Sequence, residues 1–269
     1  MSIRNRLLLV LGGVLVIILG SVYINFFQKK ESDKNFRTPT NPIPIITREK
    51  ETADIPRLSI IAQNLEVPWA LVFLPDESIL LTERVGRVRF IDKDGKLNPD
   101  PIAQIEDVKQ IGEGGLHGIT IHPDFSNNKF VYLYHTYGKS GNQTLNQVVR
   151  YKFENNTFSD KTVIVDKIPG APNHDGGRIK FGPASPRGEP DGFLYITTGD
   201  AQNPQLAQDI NSLAGKILRV TDDGKPAPGN PFNNYAYSYG HRNGQGLSWD
   251  SDGRLWATEH GRSGVLSGL

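Results

Sequence analysis

The chain has 269 residues, 37% of them hydrophobic, with 28 glycines and 18 prolines, a balance that suits many short strands joined by turns and suits a helical bundle poorly. Lys and Arg number 30 against 29 Asp and Glu, a net charge of +1, so no global field draws nucleic acid, and a nucleic-acid partner is not expected. The absence of cysteine excludes disulfides, thiolate metal sites, thiol nucleophiles and a lipidated cysteine, leaving oxygen and imidazole as the ligands for any metal.

In chain order, Arg4 and Arg6 precede an apolar run over residues 7–24, which Phe26 and Phe27 extend and Lys29 and Lys30 close. A run of about 18 apolar residues spans a bilayer core as a helix. Gly20-Ser21-Val22 is a poor version of the small-x-small site at which a signal peptide is cut. Residues 1–27 are therefore expected to be an uncleaved signal anchor, a transmembrane helix, in preference to a cleaved leader. Basic residues on both flanks leave the orientation open. Residues 28–56 place Pro39, Pro42, Pro44 and Pro56 among Thr, Asn, Glu and Lys, the composition of a semi-extended tether. Residues 57–269 form the folded domain.

That domain alternates in period-2 runs with turn clusters between them, at residues 58–61, 78–82, 88–91, 129–134 and 147–151, and reads as all-β. A larger pattern recurs. Pro68-Trp69-Ala70-Leu71 leads through Pro75-Asp76 to Leu80-Leu81-Thr82; Gly118-Ile119-Thr120-Ile121 leads through Pro123-Asp124 to Val131-Tyr132-Leu133. Gly177-Arg178-Ile179-Lys180 leads to Leu194-Tyr195-Ile196-Thr197, and Gly246-Leu247-Ser248-Trp249 leads through Asp252-Gly253 to Trp256-Ala257-Thr258. The copies start about 50 to 70 residues apart, which suits propeller blades with long loops. A single blade cannot bury both faces of its sheet, so blades stack around an axis. A β-sandwich with similar strands is the plainer alternative. Propellers close with roughly four to eight blades; about four are present here, and the chain is expected to stop before the ring closes.

Three polar, glycine-rich openings precede these strand groups: residues 112–118, 173–178 and 240–246. His174 is a candidate general base, with Asp200 as the carboxylate that would hold its other ring nitrogen; a turn-capping histidine is the bland alternative. Arg242 and Asn243 suit a planar ligand rich in oxygen atoms, unless they are simply a surface turn.

The run His174-Asp175-Gly176-Gly177-Arg178-Ile179-Lys180-Phe181-Gly182-Pro183, followed by Thr197-Thr198-Gly199-Asp200, Gly240-His241-Arg242-Asn243 and Thr258-Glu259-His260-Gly261, resembles the signature of the pyrroloquinoline-quinone-dependent glucose/sorbosone-type aldose dehydrogenases. So do Pro68-Trp69-Ala70-Leu71 and the Gly-x-x-x-His-Pro-Asp-Phe element that begins at Gly118. The resemblance implies a six-bladed β-propeller, pyrroloquinoline quinone (PQQ) with Ca²⁺ as cofactors, an aldose sugar as substrate, and an electron acceptor of unknown identity in or near the membrane. With the anchor expected of residues 1–27, it points to a membrane-anchored, extracytoplasmic protein, periplasmic or at the cell surface. Carried over residue by residue, His174 takes the proton of the anomeric hydroxyl and Asp200 orients it. Arg242 and Asn243 contact the quinone, as does Glu113, which stands where the family usually has Gln. Gly261 and Arg262 supply backbone carbonyls to Ca²⁺, although the family's acidic continuation after this point is absent. His117, His122, His135 and His260 are assigned structural roles. The alternative reading is a non-catalytic propeller that binds a partner or glycan on its axial face. A calcium-dependent lactonase is a third, for which Glu113 is the one acid in the right region.

Overall fold

In the computed structural model the described residues are 58–138, 143–183 and 192–261. The chain divides into two compact units, Met1–Leu58 and Ser59–Leu269. The expected anchor (1–27) and tether (28–56) lie outside the described residues, as does Arg262. Among the described residues no helix is long and apolar enough to cross a membrane.

The second unit is built of antiparallel sheets in which each strand pairs with the next in sequence. The first sheet holds β1 (Pro68–Phe73), β2 (Ile79–Glu83), β3 (Arg87–Ile91) and β4 (Ala103–Gln104). The second holds β5 (Leu116–Ile121), β6 (Phe130–Gly138), β7 (Thr144–Glu154) and β8 (Thr157–Gly170), with a single helical turn, α1 (Phe125–Asn128), before β6. The third holds β9 (Ile179–Phe181), β10 (Leu194–Thr197), β11 (Lys216–Val220) and β12 (Ala236–Tyr239), with α2 (Pro204–Gln208) before β11. β13 (Gly244–Trp249) and β14 (Leu255–Glu259) form a two-stranded fourth sheet.

The four expected strand groups are these sheets. The first strand of each of the first two sheets touches the next one's, β1 against β5 and β5 against β9, while β13 packs on β10. That is the radial stacking of propeller blades. Close approach at the axis explains the small residues that lead the inner strands: a Cβ on Gly118 would lie 2.3 Å from the Gly177 carbonyl oxygen.

β6, expected to alternate, is instead buried continuously from Val131 to Thr136, and its packing shows why. Val131 and Leu133 enter the core shared with the first blade. Tyr132 and Tyr134 enter the core shared with the third. Successive side chains point to opposite faces, and here both faces are covered, each large side chain contributing about 1.5–3 kcal/mol of burial. A smaller cluster of Tyr195, Ile217 and Leu247, with Trp249 and Leu255 against it, joins the third and fourth blades.

One expectation is corrected. Residues 58–61 form no strand, and Leu58 and Ile60 are 98% and 76% exposed. Their alternating pattern has no ladder partner among the described residues, and an unpaired segment gains nothing from strand geometry.

Candidate functional site

Where the polypeptide approaches β9, His174 adopts a left-handed backbone conformation, φ +66°, which costs a non-glycine residue about 1–3 kcal/mol. Hydrogen bonds from two other segments hold it there. The His174 amide donates to Glu113 Oε2 at 2.9 Å, and the Ala201 amide donates to the His174 carbonyl at 3.2 Å. Gly199 makes the second contact possible, because a Cβ there would sit 1.7 Å from the His174 carbonyl oxygen.

The His174 ring meets Asp200 as expected: Nδ1 lies 2.8 Å from Asp200 Oδ1. A carboxylate only accepts, so Nδ1 carries the hydrogen and Nε2 is left as the proton acceptor. Asp200 is itself buried and held by the Gln202 amide, which donates to Oδ1 at 2.9 Å. Its own amide donates to the Arg242 carbonyl at 2.8 Å, which ties the third blade to the turn before the fourth.

Asn243 is buried. Its Oδ1 accepts from the Gly176 amide at 3.0 Å and from Gln245 Nε2 at 3.0 Å, while its Nδ2 donates to Glu113 Oε2 at 3.3 Å. Glu113 thus joins loops of three blades through one oxygen. Arg242 donates from its amide to Glu259 Oε2 and from Nη1 to the His260 carbonyl, each at 3.2 Å. Glu259 Oε2 also lies 3.3 Å from His241 Nδ1.

These groups surround one open hollow. A cavity of about 520 Å³ is lined by Glu113, His174, Gln202, Arg242, His260 and Gly261, among others. An adjoining one of about 480 Å³ shares His174, Gln202 and Arg242 and adds Asp200, Pro204 and His241. Another hollow, walled by Leu74, Phe90, Phe125 and Phe153, has no histidine or arginine in its lining. It lies beside the β1–β2 turn, at the far end of the inner strands.

Beneath the site, Trp69, His117 and Tyr134 stack in a column, with the Arg178 guanidinium 4.3 Å from the Trp69 ring centre. Burial pulls the His117 ring down to about 4, so it stays neutral at physiological pH, its Nε2 donating to the Glu113 carbonyl at 2.9 Å. Burial pushes the Asp175 carboxyl up to about 6. Its Oδ1 accepts from Asn146 Nδ2 at 2.9 Å and from the Ala171 amide at 3.2 Å.

The structure therefore brings His174, Asp200, Glu113, Arg242, Asn243 and Gly261 to one end of the blades. Among the described residues no group of three or more acid or histidine side chains is arranged to hold a metal. Sequence reasoning missed Gln202, Glu259 and Asp175. The last two sit inside recognised motifs, yet only burial and partners distinguish them there. His260, expected to be structural, lines the cavity.

Fold and site together define a propeller-like protein with a hydrogen-bonded histidine–aspartate pair and a guanidinium beside an open cavity. Residues 65–265 match the family model described as Glucose / Sorbosone dehydrogenase, and the chain belongs to that family. It is 32% identical to the aldose sugar dehydrogenase YliI of Escherichia coli, over 77% of this chain and 57% of that one. It is 29% identical to quinoprotein glucose dehydrogenase B of Acinetobacter calcoaceticus, over 83% of this chain and 51% of that one. Among solved structures it resembles the PQQ-bound form of aldose sugar dehydrogenase from Streptomyces coelicolor, with 38% identity and a TM-score of 0.69, covering 76% of this chain and 60% of that one. The chain spans just over half the length of the curated relatives it matches.

Proposed function

We propose that this protein oxidises an aldose sugar at its anomeric hydroxyl to the lactone, using PQQ and Ca²⁺. The observation that carries the reading is the His174–Asp200 pair at 2.8 Å on the wall of a cavity that Arg242 shares. His174 Nε2 takes the hydroxyl proton while the C1 hydrogen leaves as hydride, and Asp200 stabilises the imidazolium that forms. PQQ supplies the two-electron acceptor when bound.

The donor set fits such an acidic, planar group. Arg242 offers a cationic fork, and Asn243 offers its amide nitrogen beside Glu113. The backbone carbonyls of Gly261 and Arg262 are of the type Ca²⁺ accepts, and Gly261 lines the same cavity. The reading includes completion of the array to six blades, an anchor formed by residues 1–27, an extracytoplasmic location, and delivery of electrons to an acceptor in or near the membrane.

Reconstitution with PQQ and Ca²⁺, followed by dye reduction with glucose and other aldoses, tests it; wild-type protein that binds no quinone overturns it. The Glu113 carboxylate on the cavity wall favours a second reading, a propeller that binds a partner or glycan without turnover, since negative charge there opposes an acidic cofactor. That reading predicts binding indifferent to His174→Ala and no dye reduction.

A further inference from the structure

We propose that Lys216 is a positioning residue for the site: its ammonium pins the segment between Asp200 and β11 and, through that segment, the turn that carries Arg242. The inference rests on the cavity beside His174 being the ligand site.

Lys216 is fully buried at the start of β11. Its Nζ donates to the carbonyls of Leu206, Ala207 and Ala214, at 2.9, 3.1 and 2.6 Å, so all three ammonium hydrogens are committed. Leu206 and Ala207 belong to α2, where a short helix leaves its last carbonyls without intrahelical partners. The Ala207 carbonyl also accepts the Gly240 amide at 2.9 Å. The His241 amide donates to the Gly215 carbonyl at 3.1 Å, and the Gly215 amide to Gly199 at 2.7 Å. One side chain thus stands under both lips of the cavity, with Gln202 and Pro204 on one and Gly240, His241 and Arg242 on the other.

The device is sensitive to pH. Burial pulls the Lys216 amine down to about 8, and Asp209 at the end of α2 is the charged group whose field opposes that shift. On losing a proton the amine keeps two hydrogens and turns a lone pair toward a carbonyl, so one contact is lost. The lowered value also sets a sign for the whole domain. Unfolded chain holds the proton up to about 10, so this group adds global stability as pH rises through that window and takes it away as pH falls through about 8. Loosening of the lips above pH 8 is therefore local and runs against the global trend.

Hydrogen exchange followed by mass spectrometry, on the full chain, separates these effects. In Lys216→Met, protection of residues 201–215 and 239–243 should fall by about tenfold, the worth of hydrogen bonds to a charged donor, with β5–β8 unchanged. In the wild type the same two segments should lose protection between about pH 7 and about pH 9, where a lysine with a lowered pKa titrates, and Lys216→Met should show no such change. PQQ affinity, read by quenching of tryptophan fluorescence, should weaken in parallel. Loss of protection spread evenly over all sheets, or wild-type protection independent of pH, overturns the proposal. If Lys216→Met does not fold, the wild-type pH comparison decides alone. A wild-type chain that binds no PQQ sinks the dehydrogenase reading, while exchange still reports on Lys216.

Discussion

The second and fourth blades differ in what covers them. In the second, Val131, Tyr132, Leu133 and Tyr134 of β6 are all fully buried between two cores, although its outer strand β8 is largely exposed. Among the described residues the fourth consists of β13 and β14, and Trp256 on β14 is 62% exposed. The site straddles this contrast. Glu113, His174 and Asp200 are set by the deeply packed second and third blades, whereas Arg242, His260 and Gly261 lie on the thinly packed side. The half proposed to handle the proton is held by buried, hydrogen-bonded segments; the half proposed to grip the ligand is shaped by contacts of Lys216 and Glu259.

The contrast predicts where substitutions act. The largest effect should come from His174→Ala, which should lower the dye-reduction kcat of reconstituted protein by about 10²- to 10⁴-fold, the usual worth of a general base, with quinone affinity little changed. Next, Leu133→Ala should cost about 2–5 kcal/mol in denaturant unfolding, while Trp256→Ala on the thin blade should stay within about 0.5 kcal/mol. Equal costs would erase the distinction between the blades. Arg242→Ala should weaken quinone binding by about 10- to 100-fold, the range for a charged hydrogen bond, and leave the pH dependence of turnover in place. A shifted pH profile in that variant would mean that the two halves are not separable.

A small effect that depends on pH concerns Asp175. Its folded value of about 6 lies above its ordinary 3.8, so its contribution to stability is complete below the ordinary value and is lost as pH rises through about 6. Asp175→Asn lacks that loss. Its stability relative to wild type should improve by about 1 kcal/mol between about pH 5 and about pH 7, measured by thermal unfolding at matched ionic strength. His117 has the opposite sign: its folded value of about 4 lies below its ordinary 6.5, and its contribution is lost as pH falls through about 4. The two oppose each other between about pH 4 and about pH 6, so wild-type stability alone would hide both.

Much of the site is legible in the amino-acid sequence, because the chemistry sits in short glycine-rich motifs. His174 with Asp200, and Arg242 with Asn243, stand out as residue types suited to a base and a planar ligand. The role of Glu113 is less legible. The family resemblance implies a cofactor contact there, whereas the structure shows its carboxylate accepting from the His174 amide and from Asn243. Residues 58–61 have the pattern of a strand and form none, since periodicity reports a preference and not a partner. Lys216 carries no sequence signal at all, because a lysine at a strand start reads as solvated until the fold buries it.

Local pattern is enough to specify the all-β class, the four repeated strand groups and the glycine positions at which backbone must approach backbone. These follow from side-chain period and from the absence of a Cβ, which each short segment carries in itself. Assembly of the sheets is what makes loops from three blades share the oxygen of Glu113, deprives Asp175 and His117 of water, and sets one ammonium beneath both lips of the cavity. Those outcomes depend on which segments, far apart in the chain, come within hydrogen-bond distance when the sheets stack, and no local pattern encodes that distance.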